Sequence, residues 1–318
     1  KNRVFFLENN FSKNHILPYV KKNKNHEKSL IISFNTKFDN KIYNNCENII
    51  VKNKIILFFI FLFVKTKYCY STTPDLGYTL FVKSVFNNTK YIYLQHSQIS
   101  LITGYRFNAF KKFDVIQVCN SFQNEEILFL NKIHNKKIKP FKLKYLFFSN
   151  MKKMTGENKK YDILIAPTWN TNFFSKDVIS TLVNTLRNDF TIKIKPHYMS
   201  ILKDKDYKKN LHIFEQYLIL DKLNFNNFNY LISDWSGIFL EYSIYTNKKS
   251  ILINTNQKIN NEKKNMIFPK SIEEDARTYL SKCVNINEID KIPSLIKNKM
   301  FNNVDYEVRS YIKNFFYH

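Results

Sequence analysis

Three short runs hold the residues of this chain whose types and spacing could do chemistry. The first is Ile232-Ser233-Asp234-Trp235-Ser236-Gly237-Ile238. A strand would deliver Asp234 to its C-terminal end, and a helix would begin at about Ser236. Backbone N–H groups at a helix start carry partial positive charge and suit phosphate. Gly237 lets a ligand approach the backbone, and the Ser236 hydroxyl adds a donor. The competing reading of Ser236 is an ordinary helix cap. The second run is Lys193-Ile194-Lys195-Pro196-His197. Strand alternation puts Lys193 and Lys195 on one face and leaves His197 at the sheet edge, where it could neutralise a diphosphate. The alternative is a solvated strand end in a Lys-rich protein. The third is Leu94-Gln95-His96-Ser97-Gln98, in which His96 leaves a buried strand for a loop. A neutral imidazole there could act as general base on a hydroxyl, although a lone His is also a common structural residue.

Several other chemistries are excluded. Gly77, Gly104, Gly156 and Gly237 are too dispersed for a dinucleotide-binding or P-loop motif. No H-E-x-x-H and no G-x-S-x-G is present. Asp204-Lys205-Asp206 has the D-x-D form but lies in a Lys-rich stretch near a helix start, where Asp is ordinary, so no metal site and no cofactor are expected.

These runs need elements to position them. Short apolar runs alternate with longer amphipathic stretches, the signature of an α/β protein. Strands are predicted at 3–7, 29–34, 48–51, 67–70, 91–95 and 114–118, and a Ser-capped helix at 121–131. The second half predicts strands at 162–166, 191–195, 229–233 and 250–254, with helices at 175–188 and 236–247. The polar stretch Asn150–Lys160 suggests a linker. Two doubly wound, Rossmann-like domains facing a cleft follow, residues 1–152 and 153–318. His96, His197 and Ser236 are expected to face that cleft. The apolar run Ile55–Val64 is ten residues long. A spanning helix needs about 20, so a buried strand or core helix is expected, with peripheral membrane contact at most.

The charge balance of 50 Lys+Arg against 26 Asp+Glu gives +24, which attracts polyanions: phosphorylated substrates, an anionic membrane surface or nucleic acid. The alternative is a solvated surface with no dedicated partner, since Lys, Asn, Ile, Phe and Tyr are abundant together. No nucleic-acid-binding module is recognisable, and the distinctive residues sit at strand ends instead of along one basic face. Cys46, Cys69, Cys119 and Cys283 form no C-x-x-C pair, which fits a reducing cytoplasm. No secretory signal is visible, and the chain begins at Lys1.

In order, these runs resemble the CDP-glycerol:poly(glycerophosphate) glycerophosphotransferase family of teichoic acid and capsule synthesis. The similar pieces are Ser71–Leu76, Leu94–Ser97, Ile165–Trp169, Lys195–His197, Ser233–Gly237, Glu241-Tyr242 and Ile253–Thr255 with Lys258. The resemblance implies a GT-B fold, an acceptor side in the N-terminal half and a CDP-linked polyol donor in the C-terminal half. It implies that His96 and His197 are catalytic. It places Lys195, Asp234, Trp235, Ser236, Gly237 and Lys258 at the donor. Thr168 to Asn170, at another strand end, would line the donor pocket, and Glu241, one turn into the helix, would either orient the ribose or a catalytic His or be structural. The acceptor would be a glycan or glycolipid, and the enzyme cytoplasmic or peripheral at the inner membrane face. The family's W-H-G-T reads Gln95-His96-Ser97-Gln98 here, and its R-P-H reads Lys195-Pro196-His197, so the transferred group stays open. A GT-B glycosyltransferase using a nucleotide-sugar is the alternative.

Overall fold

The computed structural model describes residues 2–22, 28–36, 46–86, 88–147, 160–169, 176–203, 212–219, 223–263, 265–298 and 306–317. The chain forms two compact units. Unit 1 comprises Lys1–Met151, Ile259–Pro269 and Phe316–His318, and unit 2 comprises Lys152–Lys258 and Lys270–Phe315.

Unit 1 is built on strands β1 (Arg3–Leu7), β2 (Ser29–Phe34), β3 (Cys46–Val51), β4 (Tyr68–Ser71), β5 (Lys90–Tyr93), β6 (Val115–Val118) and β7 (Lys139–Lys142). Their order is β3-β2-β1-β4-β5-β6-β7, and every pair is parallel. A parallel sheet is covered on both faces, so its central strands are mostly apolar on both sides. In β1, Val4 and Phe6 enter one core with Leu57 and Phe61, while Phe5 and Leu7 enter another with Ile16 and Val20. Helix α1 (Asn10–Lys22) thus covers one face, and α2 (Lys54–Phe63) with α3 (Ser121–His134) covers the other.

Three local expectations change. The run 55–64 is a helix, but only Leu57 and Phe61 are buried, because one side of α2 meets the sheet and the other does not. The cap of α3 is Asn120, whose side chain accepts the Gln123 N–H, so Ser121 already lies inside the helix. β7 was not expected. It reads Lys-Pro-Phe-Lys, exposed along its length, and its Pro140 is tolerated because the strand lies at a sheet edge.

Unit 2 is built on β8 (Tyr161–Ile165), β9 (Ile192–Ile194), β10 (Phe228–Ser233), β11 (Ser250–Asn254) and β12 (Ser281–Asn285), in the order β12-β11-β10-β8-β9, again all parallel. Helices α4 (Lys176–Leu186), α5 (Tyr198–Lys203), α6 (Ile238–Thr246), α7 (Ile272–Leu280), α8 (Ile292–Lys297) and α9 (Tyr306–Phe315) alternate with or follow the strands. Helix α4 packs Ile179, Leu182, Val183 and Leu186 on Ile163, Ile165, Ile192 and Ile194, the periodicity read from the sequence.

The chain divides near Met151, but two later segments return to unit 1, so one cut in the sequence does not separate the units. Asn260 donates from its backbone to Thr103 O and from its side chain to Gly104 O, and Asn261 donates to Ile102 O. Tyr317 N donates to Cys119 O at 2.9 Å. The linker stretch 150–160 lies, except for Lys160, outside the described residues. Among the described residues, no helix is long and apolar enough to cross a membrane.

Helix α2 supplies a test of this packing. Phe61 is fully buried and meets Phe6 and Phe81 edge-on at 4.8 and 4.9 Å. Phe61→Ala should destabilise the chain by about 3–5 kcal/mol in chemical denaturation. Phe59→Ala, on the exposed side of the same helix, should cost less than about 0.5 kcal/mol. Equal losses would contradict the assigned faces.

Candidate functional site

In unit 2 the chain runs from β8 to β9 on one side of the sheet and then to β10 on the other. The β8/β10 boundary is therefore a topological switch point, where open α/β sheets bind ligands beyond the strand C-termini. The expected site residues Thr168 and Asp234 follow these two strands. The Thr168 N–H donates to Asp234 Oδ1 at 2.9 Å, and both residues are buried. Ser233 Oγ donates to Ala166 O at 2.6 Å, a second tie between the same strand ends.

Lys258 arrives from the segment after β11. Its Nζ donates to Thr168 Oγ1 at 3.0 Å and lies 4.5 Å from the centre of the Trp169 ring. The Trp169 ring is 6.3 Å from that of His197, which follows β9. His197 Nδ1 accepts the Met199 backbone N–H at 3.1 Å. A backbone amide can only donate, so in the neutral imidazole the proton sits on Nε2, which is left as a donor.

Trp235 is fixed from two sides. Its Nε1 donates to Thr255 O at 2.9 Å, and the Arg277 guanidinium stacks 4.1 Å above its ring. Arg277, on α7, also donates to Asp234 O and Asn254 Oδ1. Burial lowers its pKa, and the nearby Cys283 and Asp234 act in the opposite direction. Gly237, not Ser236, is the cap of α6, and no side chain caps the helix through it. Ser236 Oγ accepts the Ile238 N–H at 3.4 Å, a long bond.

Lys195 and Glu241 occupy their expected positions, beyond β9 and in the first turn of α6. The Lys195 ammonium donates to Ile219 O at 3.3 Å, beside the Lys193 bond to Gln216 O, so the shared face of these lysines grips the Gln216–Ile219 backbone. Glu241 N donates to Gly237 O within the helix start. Asn170, Asp204 and Asp206 lie outside the described residues. Among the described residues, no group of three or more His, Cys, Asp or Glu is placed to hold a metal ion.

In unit 1, His96 follows β5 and is half-buried. Its Nδ1 is 2.9 Å from both Thr72 O and Tyr93 Oη. A carbonyl can only accept, so Nδ1 carries the proton. The Tyr93 hydroxyl donates to Tyr105 Oη at 3.1 Å, and Tyr105 Oη is 3.4 Å from His96 Nε2. Nε2 is thus an acceptor, opposite to His197. Burial lowers the pKa of His96 to about 4, against the raising effect of the Thr72 bond, so the ring is neutral at pH 7. Tyr145 donates to His96 O at 2.7 Å, and its oxygen is 2.8 Å from Nδ1 of His15. His15 is also held neutral, first by burial and then by His96.

Sequence reasoning missed Arg277, His15 and the tyrosines Tyr93, Tyr105 and Tyr145, and it quoted Asn254 in a run without giving it a role. Tyr93 could have been found, since it stands on the strand that delivers His96. Arg277 leaves no such trace, because it reaches Asp234 from a different helix.

No protein-family model matches the chain, and no curated protein matches it. Solved structures do resemble it. S. aureus MnaA in complex with UDP is 11% identical, with a TM-score of 0.59, over 96% of this chain and 90% of that one. A glycosyltransferase from Rickettsia africae is 11% identical, with a TM-score of 0.51, over 99% and 94%. A UDP-GlcNAc 2-epimerase from Neisseria meningitidis bound to UDP-GlcNAc is 9% identical, with a TM-score of 0.51, over 99% of each chain. Together with the two parallel-sheet units, these likenesses show a two-domain, Rossmann-like GT-B fold.

The neutral histidines set a pH dependence. An unperturbed His titrates near about 6.5, and folded His96 near about 4. Above that window His96 is uncharged in both states. As pH falls through it, the unfolded chain takes up a proton that the folded chain refuses, so stability is lost towards acid. Thermal melts across this range should show that decline, and His96→Gln should flatten it. An unchanged slope would remove His96 as its source.

Proposed function

We propose that the chain is a transferase that uses a nucleotide-linked donor held by unit 2, and that the donor is a nucleotide-sugar. The observation that carries this is the set joined at the β8/β10 switch point: Lys258 on Thr168, Thr168 on Asp234, and His197 presenting an Nε2 donor. An ammonium, an imidazole N–H and the Gly237 helix start are what a leaving diphosphate requires as its negative charge builds. Neighbours of the same fold whose structures hold UDP or UDP-GlcNAc, and another described as a glycosyltransferase, support a nucleotide-sugar.

In this mechanism an acceptor hydroxyl of a cell-surface glycan or glycolipid attacks the anomeric carbon. The bond from that carbon to the β-phosphate oxygen breaks, and a nucleoside diphosphate leaves. His96 Nε2, already an acceptor, takes the hydroxyl proton. Lys258 and His197 neutralise the leaving group. Trp235, held by Arg277 and Thr255 O, forms a flat wall beside the phosphate-facing residues.

A second reading rests on the ordered runs from Ser71 to Lys258. It keeps the donor site but moves a polyol-phosphate from a CDP-linked donor: the acceptor attacks the β-phosphorus and CMP leaves. The nucleotide released separates the two. With UDP-sugars and a glycolipid acceptor, acceptor-dependent UDP release is expected. CMP release from CDP-glycerol would select the second reading. A changed sugar without acceptor would mean epimerisation and would overturn transfer altogether. His96→Ala should lower turnover by about two to four orders of magnitude with donor affinity unchanged. Lys258→Ala should weaken donor binding about 10- to 100-fold by calorimetry. Full turnover in the first variant would exclude His96 as the base.

A further inference from the structure

Helix α2 is sided in a way the fold of unit 1 does not require. Leu57 and Phe61 enter the core, while Ile55, Ile56, Phe59 and Phe63 point away from it at 50–66% exposure. Positions 55, 59 and 63 are spaced by four and lie along one stripe. The Phe59 and Phe63 rings run parallel, with centroids 6.3 Å apart and an interplanar angle of 3°. The surface continues beyond the helix. Val85 donates its backbone N–H to Leu62 O at 2.9 Å, and Ser84 Oγ donates to Val64 O at 2.7 Å, which brings exposed Val85 and Phe86 beside the end of α2. A run of large apolar side chains of this kind marks a docking surface and not ordinary surface scatter.

The charged residues at the two ends of the helix are of one sign. Lys52 and Lys54 lie at the N-terminal end of α2, and Lys65 and Lys67 at its C-terminal end, all four exposed. From Asn48 to Pro74 the chain carries no Asp or Glu. The helix is ten residues long, about 15 Å, roughly half of what a bilayer core requires, so it can lie in an interface but not cross it. It is also formed in advance. Asn53 Oδ1 accepts the Ile55 and Ile56 N–H groups at 2.7 and 3.3 Å, so fewer unsatisfied donors would enter an apolar phase with it.

We propose that the exposed face of α2, with Val85 and Phe86, docks unit 1 onto a bilayer surface carrying anionic lipid headgroups. The apolar stripe enters the boundary between headgroups and acyl chains, and the four lysines contact the phosphates. Neither the donor site nor the nature of the transferred group enters into this assignment.

The test is co-sedimentation of the full chain with vesicles of phosphatidylcholine alone and of phosphatidylcholine mixed equally with phosphatidylglycerol. Binding is expected to favour the mixed vesicles and to weaken as salt rises. The triple change Ile55→Ser, Phe59→Ser and Phe63→Ser should reduce it by more than about tenfold. It touches no buried side chain, so the thermal melting profile should be preserved. The double change Lys52→Glu and Lys54→Glu keeps the apolar stripe and should remove the preference for the anionic vesicles. Equal binding to both vesicle types, or full binding by either variant, would overturn the proposal. So would a wild-type dimer that ignores vesicles and becomes monomeric in the triple variant, since the face would then belong to a second copy of the chain.

Discussion

The bond between the Thr168 amide and the Asp234 carboxylate is the interaction on which the candidate donor site depends. Asp234 has no exposed surface, and a carboxylate taken out of water is costly unless it is paired or hydrogen-bonded. Thr168 supplies a donor at 2.9 Å, and Arg277 brings a positive charge against the same residue's carbonyl. Once these partners are in place, the ends of β8 and β10 cannot shift independently. Thr168 then presents its hydroxyl to Lys258, and Trp169 neighbours both Lys258 and His197. On the other side, Asp234 leads directly into Trp235 and the start of α6. One buried polar contact thus aligns groups that the chain spreads over about ninety residues.

The two histidines illustrate how backbone polarity fixes side-chain chemistry. A carbonyl opposite Nδ1 makes His96 Nε2 an acceptor, and an amide opposite Nδ1 makes His197 Nε2 a donor. The roles follow from whether the backbone turns a C=O, as Thr72 does after β4, or an N–H, as Met199 does in α5, towards the ring.

How far this was legible in the sequence depended on how local each signal was. β1 and β11 were readable because strands buried on both faces must be apolar at every position, and α4 because its apolar residues repeat at the helical period. Thr168, Asp234 and His197 were readable because each lies within three residues of the end of a strand whose apolar residues show in the sequence. β7 was not, since an edge strand needs no apolar pattern. The face of α2 was also hidden. Ten apolar residues in a row carry no period that says which side is covered, and only the position of the sheet decides it. The return of Asn260 and Asn261 to the loop at 102–104 has no local signature at all, because its partners are backbone carbonyls, which every residue possesses.

That return has a consequence for synthesis of the chain on a ribosome. The first 151 residues contain every strand of the seven-stranded sheet, yet the carbonyls of Ile102, Thr103 and Gly104 receive their asparagine donors only after residue 261 has emerged. Cys119 O waits longer still, for Tyr317. At an elongation rate of about 5–20 residues per second, the N-terminal half spends several seconds with those acceptors served only by water. Its nascent form has an unfinished rim, completed when Asn260, Asn261 and Tyr317 arrive.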